Sequence, residues 1–505
     1  MSSVDLRFIR ELHVFPYHRG GFLVLHPESF SLFKVGDLLA KLLKELANDD
    51  ISTIALRNGI EEDELIAKLS AINEKVTHNL ASVDTKIADD EDPRQREINI
   101  TLHVSNACNL DCVYCYAQGG NYGRETRVRM DKALALKSIE TMYRNFPLVE
   151  SIMFFGGEPT LAMDIIELVC NYIKDKQVRG EIAKLPKYSM ITNGTKLDDN
   201  AIRIIRENEI AITISVDGPK EINDRLRPHK GGQGSYDIIK AGFDRVVNET
   251  GMVPNVEATY TRVHHEAGMS MSSLVEFLHE EFKFSNGTVA HVDLPDGDPL
   301  TLKSTESADE IIDTLRTLME GIAHGEHPKM ERSMLQPILQ FVTKTGTRFQ
   351  CAVGYDGFDI TTDGDIYPCQ VFINQEDFLM GTVDDFDISN PSPRLKRAIN
   401  RLSYRDKYTN PICRECWAKQ FCFSCPGSEI FKSNDYQVPD WYCHRVRSGM
   451  EHMLTVLYDI KSDPTMWHNF LEGLKKLSKD MESQIPALAL AQKPREKLYQ
   501  IATAS

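Results

Sequence analysis

Three closely spaced cysteines are the residues of this chain with the most evident chemistry. Cys108, Cys112 and Cys115 follow the spacing C-x-x-x-C-x-x-C, and Tyr114 directly precedes the last of them. Clustered cysteines of this kind suit iron–sulfur ligation, and three thiolates leave the fourth iron of a cubane open to another ligand. The alternatives are buried structural thiols or a zinc site completed by His103, although zinc sites more often use paired C-x-x-C spacings.

The cysteines and the segment Gly156-Gly157-Glu158-Pro159 resemble the signature of radical S-adenosylmethionine (SAM) enzymes, in which an apolar strand such as Ile98 to Val104 leads into the cysteines. The resemblance implies that Cys108, Cys112 and Cys115, here called the SAM triad, bind a [4Fe-4S] cluster and that its open iron binds SAM. Reduction of such a cluster cleaves SAM and gives a 5′-deoxyadenosyl radical, which abstracts hydrogen from carbon.

The same resemblance implies a set of SAM contacts at the ends of predicted strands. They are Tyr114, Gly156, Gly157, Glu158, Asn193, Ser215 and Arg227. Among them, Asn193 would lie near the ribose, while Ser215 and Arg227 would bind the carboxylate. Taken alone, a glycine pair or an Asn-Gly step after a strand is also an ordinary turn sequence.

A second group of cysteines appears after Lys344, where the alternation of strand and helix patterns stops. Its members are Cys351, Cys369, Cys413, Cys416, Cys422, Cys425 and Cys443. Their layout resembles the SPASM domain, which carries auxiliary iron–sulfur clusters in radical SAM enzymes that act on peptides and proteins. One departure is a gap of two residues before Cys425, where the SPASM pattern is usually one residue longer.

The SPASM resemblance implies one or two auxiliary [4Fe-4S] clusters. The four-cysteine set, which would hold one cluster completely, is Cys413, Cys416, Cys422 and Cys443. The three-cysteine set, which would leave one iron open, is Cys351, Cys369 and Cys425. A zinc ribbon built from Cys413, Cys416, Cys422 and Cys425 is the alternative for this segment. Cys170 falls in an apolar helical pattern and is predicted to be a buried core residue.

Length and composition limit the class of protein. A chain of 505 residues with 42% apolar and 26% charged residues is ordinary for a globular protein of several domains. It has neither a membrane-spanning apolar run nor a secretory start, so we expect no membrane partner and a cytoplasmic location, where cysteines rarely form disulfides. The net charge of −16 argues against nucleic acid as a partner.

Residues 1–90 are predicted to form a separate N-terminal unit, followed by an acidic linker over residues 88–96. The predicted elements are strands at Leu12–Phe15 and Gly21–Leu25 and helices at Phe33–Leu46, Ile51–Asn58 and Glu62–Asn73. This outline resembles the winged-helix-like peptide-recognition domain of enzymes that modify ribosomally made peptides, which implies that a leader peptide binds as an added strand. A plain packing domain is the alternative.

Residues 91–345 alternate strand and helix patterns, which predicts an α/β fold with a parallel sheet curled into a partial (β/α)6 barrel. The predicted strands are Ile98–Val104, Ser151–Phe155, Tyr188–Thr192, Ile210–Val216, Asn255–Tyr260 and Ala290–Leu294. Sites in such folds collect at the carboxyl ends of the strands, where the SAM triad is expected. Residues 346–450 would form the SPASM domain and residues 451–505 a helical tail.

The three domains together, and the continuation Cys115 to Gly123, resemble maturases of ribosomal peptides and the maturase of the quinohemoprotein amine dehydrogenase small subunit. The resemblance implies a radical SAM enzyme that joins cysteine sulfur to carbon in a leader-bearing peptide or small protein, with a flavodoxin- or ferredoxin-type electron donor. The alternatives are carbon–carbon cross-linking, epimerisation, a non-catalytic metal scaffold, and sulfatase maturation, whose aspartate base is replaced here by Gln370.

Overall fold

The protein is described by a computed structural model over residues 6–80, 94, 96–123, 128–284, 287–295, 297–326, 335–351 and 353–484. Most of the predicted linker over residues 88–96, the boundary at residue 90 and the polar end of the tail from residue 485 lie outside the described residues. Among the residues that are described, no helix is long and apolar enough to cross a bilayer.

A three-stranded antiparallel sheet and three helices form the N-terminal unit. Its elements are β1 (His13–Pro16), β2 (Phe22–His26), β3 (Ser31–Val35), α1 (Asp37–Leu46), α2 (Ile51–Asn58) and α3 (Glu62–Leu80). The prediction of a helix beginning at Phe33 is wrong at its start, because Ser31 to Val35 pairs with β2 and α1 begins only after Gly36. Burial alternates along β3, where Phe33 is buried and Lys34 exposed, and this is the periodicity of a strand.

Both faces of the N-terminal sheet are covered. One face packs on α1 to α3, and the other contributes Phe15, Leu23 and Leu25 to the main hydrophobic core of the protein. In β1, the ring of His13 stacks on Trp417, with ring centroids 3.9 Å apart. The N-terminal unit therefore lies directly against the segment that carries the second group of cysteines.

Six parallel strands in chain order, β4 to β9, form the central sheet among the described residues, so the predicted α/β fold is confirmed. The elements are β4 (Glu97–Ser105), α4 (Lys132–Asn145), β5 (Leu148–Gly156), α5 (Met163–Val178), β6 (Lys187–Thr192), α6 (Asp199–Glu207), β7 (Ala211–Ser215), α7 (Lys220–Leu226), α8 (Tyr236–Thr250), β8 (Asn255–Tyr260), α9 (Arg262–Glu266), α10 (Met271–Phe282) and β9 (Gly287–His291). The last strand lies earlier than the predicted Ala290–Leu294, because it pairs with β8, which ends opposite His291.

The remaining elements follow β9, and one of them joins the central sheet. They are α11 (Ser304–Ala323), α12 (Leu335–Thr343), β10 (Gly357–Ile360), β11 (Asp365–Tyr367), β12 (Gly381–Thr382), α13 (Pro393–Arg401), α14 (Pro411–Arg414), α15 (Glu429–Ser433), α16 (Asp440–Ser462) and α17 (Pro464–Gln484). Strand β10 pairs in parallel with β4, and β11 and β12 extend the sheet beyond it. This arrangement was not predicted, since β10 is too short to show a period. It places the second cysteine group next to the strand that leads to the SAM triad.

Candidate active site

The SAM triad lies in the loop after β4, at the carboxyl end of the parallel strands. This loop contacts the turn after β5 through two backbone hydrogen bonds, from Gly157 N to Ser105 O (2.7 Å) and from Glu158 N to Ala107 O (2.8 Å). A β-carbon on Gly157 would lie 2.5 Å from Ala107 O, and one on Gly156, whose φ is +136°, would lie 2.0 Å from Ser105 O. Both glycines are therefore required by the close approach of the cysteine loop.

The thiols of the SAM triad lie near enough to one another to interact electrostatically. Burial raises the pKa of Cys108, and the charge of Cys115 adds to the shift. Burial raises the pKa of Cys112 to about 11, and the charges of Cys115 and Cys108 add to the shift. Two donors approach the sulfurs: Gly119 N lies 3.4 Å from Cys115 Sγ, and Asn193 Nδ2 lies 3.7 Å from Cys108 Sγ. Such donors stabilise thiolates and cluster-bound sulfurs.

A buried chain of three polar side chains lies beside the triad. Arg227 Nη1 donates a hydrogen bond to the Tyr114 hydroxyl (2.7 Å), which in turn donates to Asp217 Oδ2 (2.5 Å). Arg227 and Asp217 are both buried, and Arg227 Nη1 lies 4.0 Å from Asp217 Oδ2. Within the described part of the chain, the buried Nε of Arg227 has no hydrogen-bond partner. This remaining donor suits a carboxylate ligand, the group of SAM that Arg227 is expected to bind.

Two carboxylates of the site, Asp217 and Glu257, were not singled out by the sequence patterns. Ser215 Oγ donates to Glu257 Oε1 (2.7 Å), and burial raises the pKa of Glu257. Asp217 Oδ1 accepts a hydrogen bond from Thr259 N (2.9 Å), which ties the end of β7 to β8. A signal for Glu257 existed in the sequence, because it is the one charged residue within the predicted strand Asn255–Tyr260.

Glu158 holds the ends of two strands together. Its side chain is fully buried and accepts hydrogen bonds from Thr160 N (3.0 Å), Thr192 Oγ1 (2.7 Å) and Asn193 N (2.8 Å). Asn193 Nδ2 donates to Asn109 Oδ1 (2.9 Å) in the cysteine loop. Both carboxylate oxygens of Glu158 are thus used by protein donors, so the side chain positions the loop after β6 against the SAM triad.

His103 takes part in a contact between β4 and β10. Its Nε2 lies 2.8 Å from Asp359 Oδ2, and both residues are buried. The structure therefore places this nitrogen on a carboxylate of the neighbouring strand, whereas the zinc alternative would place the residue with the SAM triad.

Cysteines of the second group lie near enough to one another to interact electrostatically. Burial raises the pKa of Cys422 to about 12, and the charges of the other three members of its set, Cys413, Cys416 and Cys443, add to the shift. Burial likewise raises the pKa of Cys369, with contributions from Cys425 and Cys351. In the described part of the chain, no three His, Cys, Asp or Glu side chains are grouped tightly enough for a single metal ion.

Tyr116 lies between the SAM triad and the three-cysteine set. Its side chain is 44% exposed, yet burial raises its pKa well above the usual range, followed by the charges of Cys369, Asp359 and Cys115. Tyr116 therefore lies near both Cys115 of the SAM triad and Cys369 of the three-cysteine set.

The pH dependence of stability is expected to involve His264, which contacts the backbone of Asp217 in the site. Its Nε2 lies 2.6 Å from Asp217 O, and burial lowers its pKa below 6.5. The unfolded chain therefore takes up a proton at this residue before the folded protein does, so the free energy of unfolding falls as the pH drops below about 6.5. We expect His264→Gln to reduce this loss in urea unfolding at pH 5.5 and 7.5, whereas His468→Gln, at an exposed position, leaves it unchanged. Equal losses in both variants would contradict this role.

Comparisons with known proteins agree with the geometry. The Radical SAM superfamily matches residues 102–260. An uncharacterised protein of Methanocaldococcus jannaschii is 36% identical over 146 residues, which are 29% of this chain and 47% of that protein. The chain thus spans about half the length of that relative. A cysteine-type anaerobic sulfatase-maturating enzyme of Clostridium novyi is 24% identical over 329 residues, 62% of this chain and 85% of the enzyme.

A solved structure shows the same fold over a longer part of the chain. It is described as anSMEcpe with bound AdoMet, and it is 18% identical with a TM-score of 0.61, covering 77% of this chain and 98% of the other. Together with the cysteine loop at the carboxyl end of β4, these matches show that the protein is an α/β protein containing a radical SAM domain over residues 102–260.

Proposed function

We propose that this protein uses radical SAM chemistry to modify a peptide or small protein, and that the modification joins a cysteine sulfur to a carbon atom as a thioether. The observation that carries the proposal is the position of Tyr116, which is partly exposed and lies near both Cys115 of the SAM triad and Cys369 of the three-cysteine set. A substrate bound beside Tyr116 would meet the radical on one side and an open iron on the other. An open iron that binds a substrate thiolate would hold the cysteine sulfur in place for thioether formation.

The residues around the SAM triad fit the cofactor that the domain implies. Cys108, Cys112 and Cys115 would hold the [4Fe-4S] cluster, which together with SAM supplies a primary carbon radical when an external flavodoxin- or ferredoxin-type donor delivers an electron. The free Nε of Arg227 would bind the SAM carboxylate, and Ser215 would lie beside it. The chain itself contributes binding, orientation and the exclusion of water from this buried region.

Auxiliary clusters are proposed for the second group of cysteines. The four-cysteine set would be fully ligated, and Gln350 Nε2, 3.8 Å from Cys413 Sγ, would donate to one of its sulfurs. The three-cysteine set would keep one iron open toward Tyr116. Their proposed tasks are to accept the electron left when the product closes and to hold a substrate thiolate.

The N-terminal unit is proposed to bind the leader of the substrate. Its sheet has the order β1, β2, β3, so that the described strands β1 and β3 each pair on one side only. An extended peptide can add to such an edge through main-chain hydrogen bonds. The stacking of His13 on Trp417 fixes this sheet beside the second cysteine group, which suits delivery of the following peptide segment to that part of the protein.

Sulfatase maturation is the second candidate function, favoured by the similarity that covers 85% of the Clostridium novyi enzyme. The residue after Cys369 argues against it. Gln370 Oε1 lies 3.1 Å from Cys369 Sγ, and an amide cannot act as the proton-accepting base that the resemblance expects at this position.

Mass spectrometry of a co-expressed peptide tests the proposed function. The substrate would be a small cysteine-containing peptide encoded beside this protein, and we expect loss of two hydrogens per link with a thiol that no longer reacts with iodoacetamide. Hydrogen loss with a reactive thiol would show carbon–carbon linkage, and unchanged mass with inverted stereochemistry would show epimerisation. Conversion of a sulfatase peptide cysteine to an aldehyde would establish the second candidate. Each of these three results would overturn the thioether assignment.

A further inference from the structure

Lys407 is a lysine whose side chain is completely buried beside the four-cysteine set. Its exposed fraction is 0%. The ammonium group donates hydrogen bonds to Thr347 Oγ1 (2.6 Å) and to the carbonyl oxygen of Cys422 (3.3 Å). It also lies 5.7 Å from the centroid of the Phe423 ring. A lysine is almost never buried to this extent without a compensating charge.

No carboxylate of the described residues forms an ion pair with Lys407. Asp406, the adjacent acid in the chain, is instead paired with Arg348 at 3.0 Å. The other strongly buried lysine differs in this respect, because Lys176 on α5 lies 2.7 Å from both Glu140 and Glu181. A buried cation without an anionic partner is strongly destabilising, so the environment of Lys407 calls for negative charge from another source.

The cysteines of the four-cysteine set are the nearest such source. Lys407 touches the backbone of Cys422, and the charges that act on its ammonium group come from Cys422, Cys413, Asp406 and Cys416. A cluster held by four thiolates carries net negative charge, which becomes larger by one on reduction. A fixed cation in contact with the backbone of a cluster ligand therefore favours the reduced form of the cluster over the oxidised form.

We propose that Lys407 is the counter-charge of the four-cysteine set and raises the reduction potential of the cluster bound there. This inference rests on the ligand set proposed above. Lys407 would act on the bound cluster through its charge and would not touch the substrate or SAM. The effect on potential is expected at the cluster of the four-cysteine set, because Lys407 contacts the backbone of Cys422. The SAM triad lies beside Arg227 instead.

A redox titration of the iron-loaded full-length protein tests the proposal. Dithionite supplies the single electron, mediators set the potential, and electron paramagnetic resonance follows each cluster. In Lys407→Met we expect one auxiliary cluster to become at least tenfold harder to reduce, a shift of about 59 mV to lower potential for a one-electron couple. Lys407→Arg should recover most of the shift, and the control Lys176→Met should show none.

The outcomes separate this inference from the proposed cluster itself. If the wild-type protein shows no auxiliary cluster signal, the proposed ligand set fails. If the signal is present and Lys407→Met leaves its potential unchanged, or shifts all clusters equally, the role of Lys407 is overturned. If Lys407→Met loses the cluster, iron-free full-length protein decides: removing an unpaired buried cation should raise its thermal unfolding temperature, and a lower temperature would contradict the proposal.

Discussion

Replacement of Cys112 by alanine is expected to abolish SAM cleavage. Cys112 is the central member of the SAM triad, and its thiol interacts with those of both Cys108 and Cys115. With two cysteines left, the cluster that splits SAM cannot be held in place, so we expect the rate of cleavage to fall by about a thousandfold or more, equivalent to about 4 kcal/mol in barrier height. The measurement is 5′-deoxyadenosine released from SAM under dithionite, with the iron content of each preparation.

Cys170 provides the matched control for this experiment. It is fully buried in the main hydrophobic core on α5, as the sequence predicted, and belongs to none of the three cysteine sets. Cys170→Ala removes one sulfur from apolar surroundings and should cost about 1 kcal/mol of stability while leaving SAM cleavage intact. Wild-type deoxyadenosine formation by the Cys112 variant would exclude the assigned cluster site.

Replacement of Arg227 by methionine is expected to weaken both the fold and the binding of SAM. The change leaves the buried carboxylate of Asp217 without its cation and Tyr114 without a donor. Removing one partner of a buried pair usually costs about 3–5 kcal/mol. The proposed contact with the SAM carboxylate is lost as well, so equilibrium dialysis should show weaker SAM binding and urea unfolding a lower midpoint.

The neighbouring Arg225 separates a specific effect from loss of charge. It lies in the last turn of α7, two residues before Arg227, but its side chain is exposed. We expect Arg225→Met to change stability by less than about 0.5 kcal/mol and to bind SAM as the wild type does. Equal behaviour of the two variants would show that Arg227 has no special place in the site.

Much of the central fold was predictable because apolar residues recur along its strands with the period of a strand. The run Ile98 to Val104, in which every second residue is apolar, is found as β4, and Tyr188 to Thr192 falls within β6. Shorter strands could not be predicted from the sequence pattern. Strand β10 has four residues, and its membership of the sheet depends on pairing with β4, a contact between segments more than two hundred residues apart.

The residues of the site also divide into those that could be identified from the sequence and those that could not. The cysteines and the glycine pair were identifiable from their spacing, because ligands of one cluster and a tight turn both require particular residues close together in the chain. Asp217 and Glu257 were not, because neither has a motif of its own. Their roles arise from hydrogen bonds to Tyr114 and Ser215, which lie on other segments.

The sequence by itself determined which cysteines lie close together in the chain, and in what local order. Spacing within one loop is a property of the chain, so the SAM triad could be predicted as a ligand set without the fold. The tertiary structure alone decided that Tyr116 lies near both the triad and the three-cysteine set. It also decided that a buried lysine without a carboxylate partner among the described residues lies at the four-cysteine set. Such placements depend on long-range packing, in which residues distant in the chain become neighbours only when the core closes.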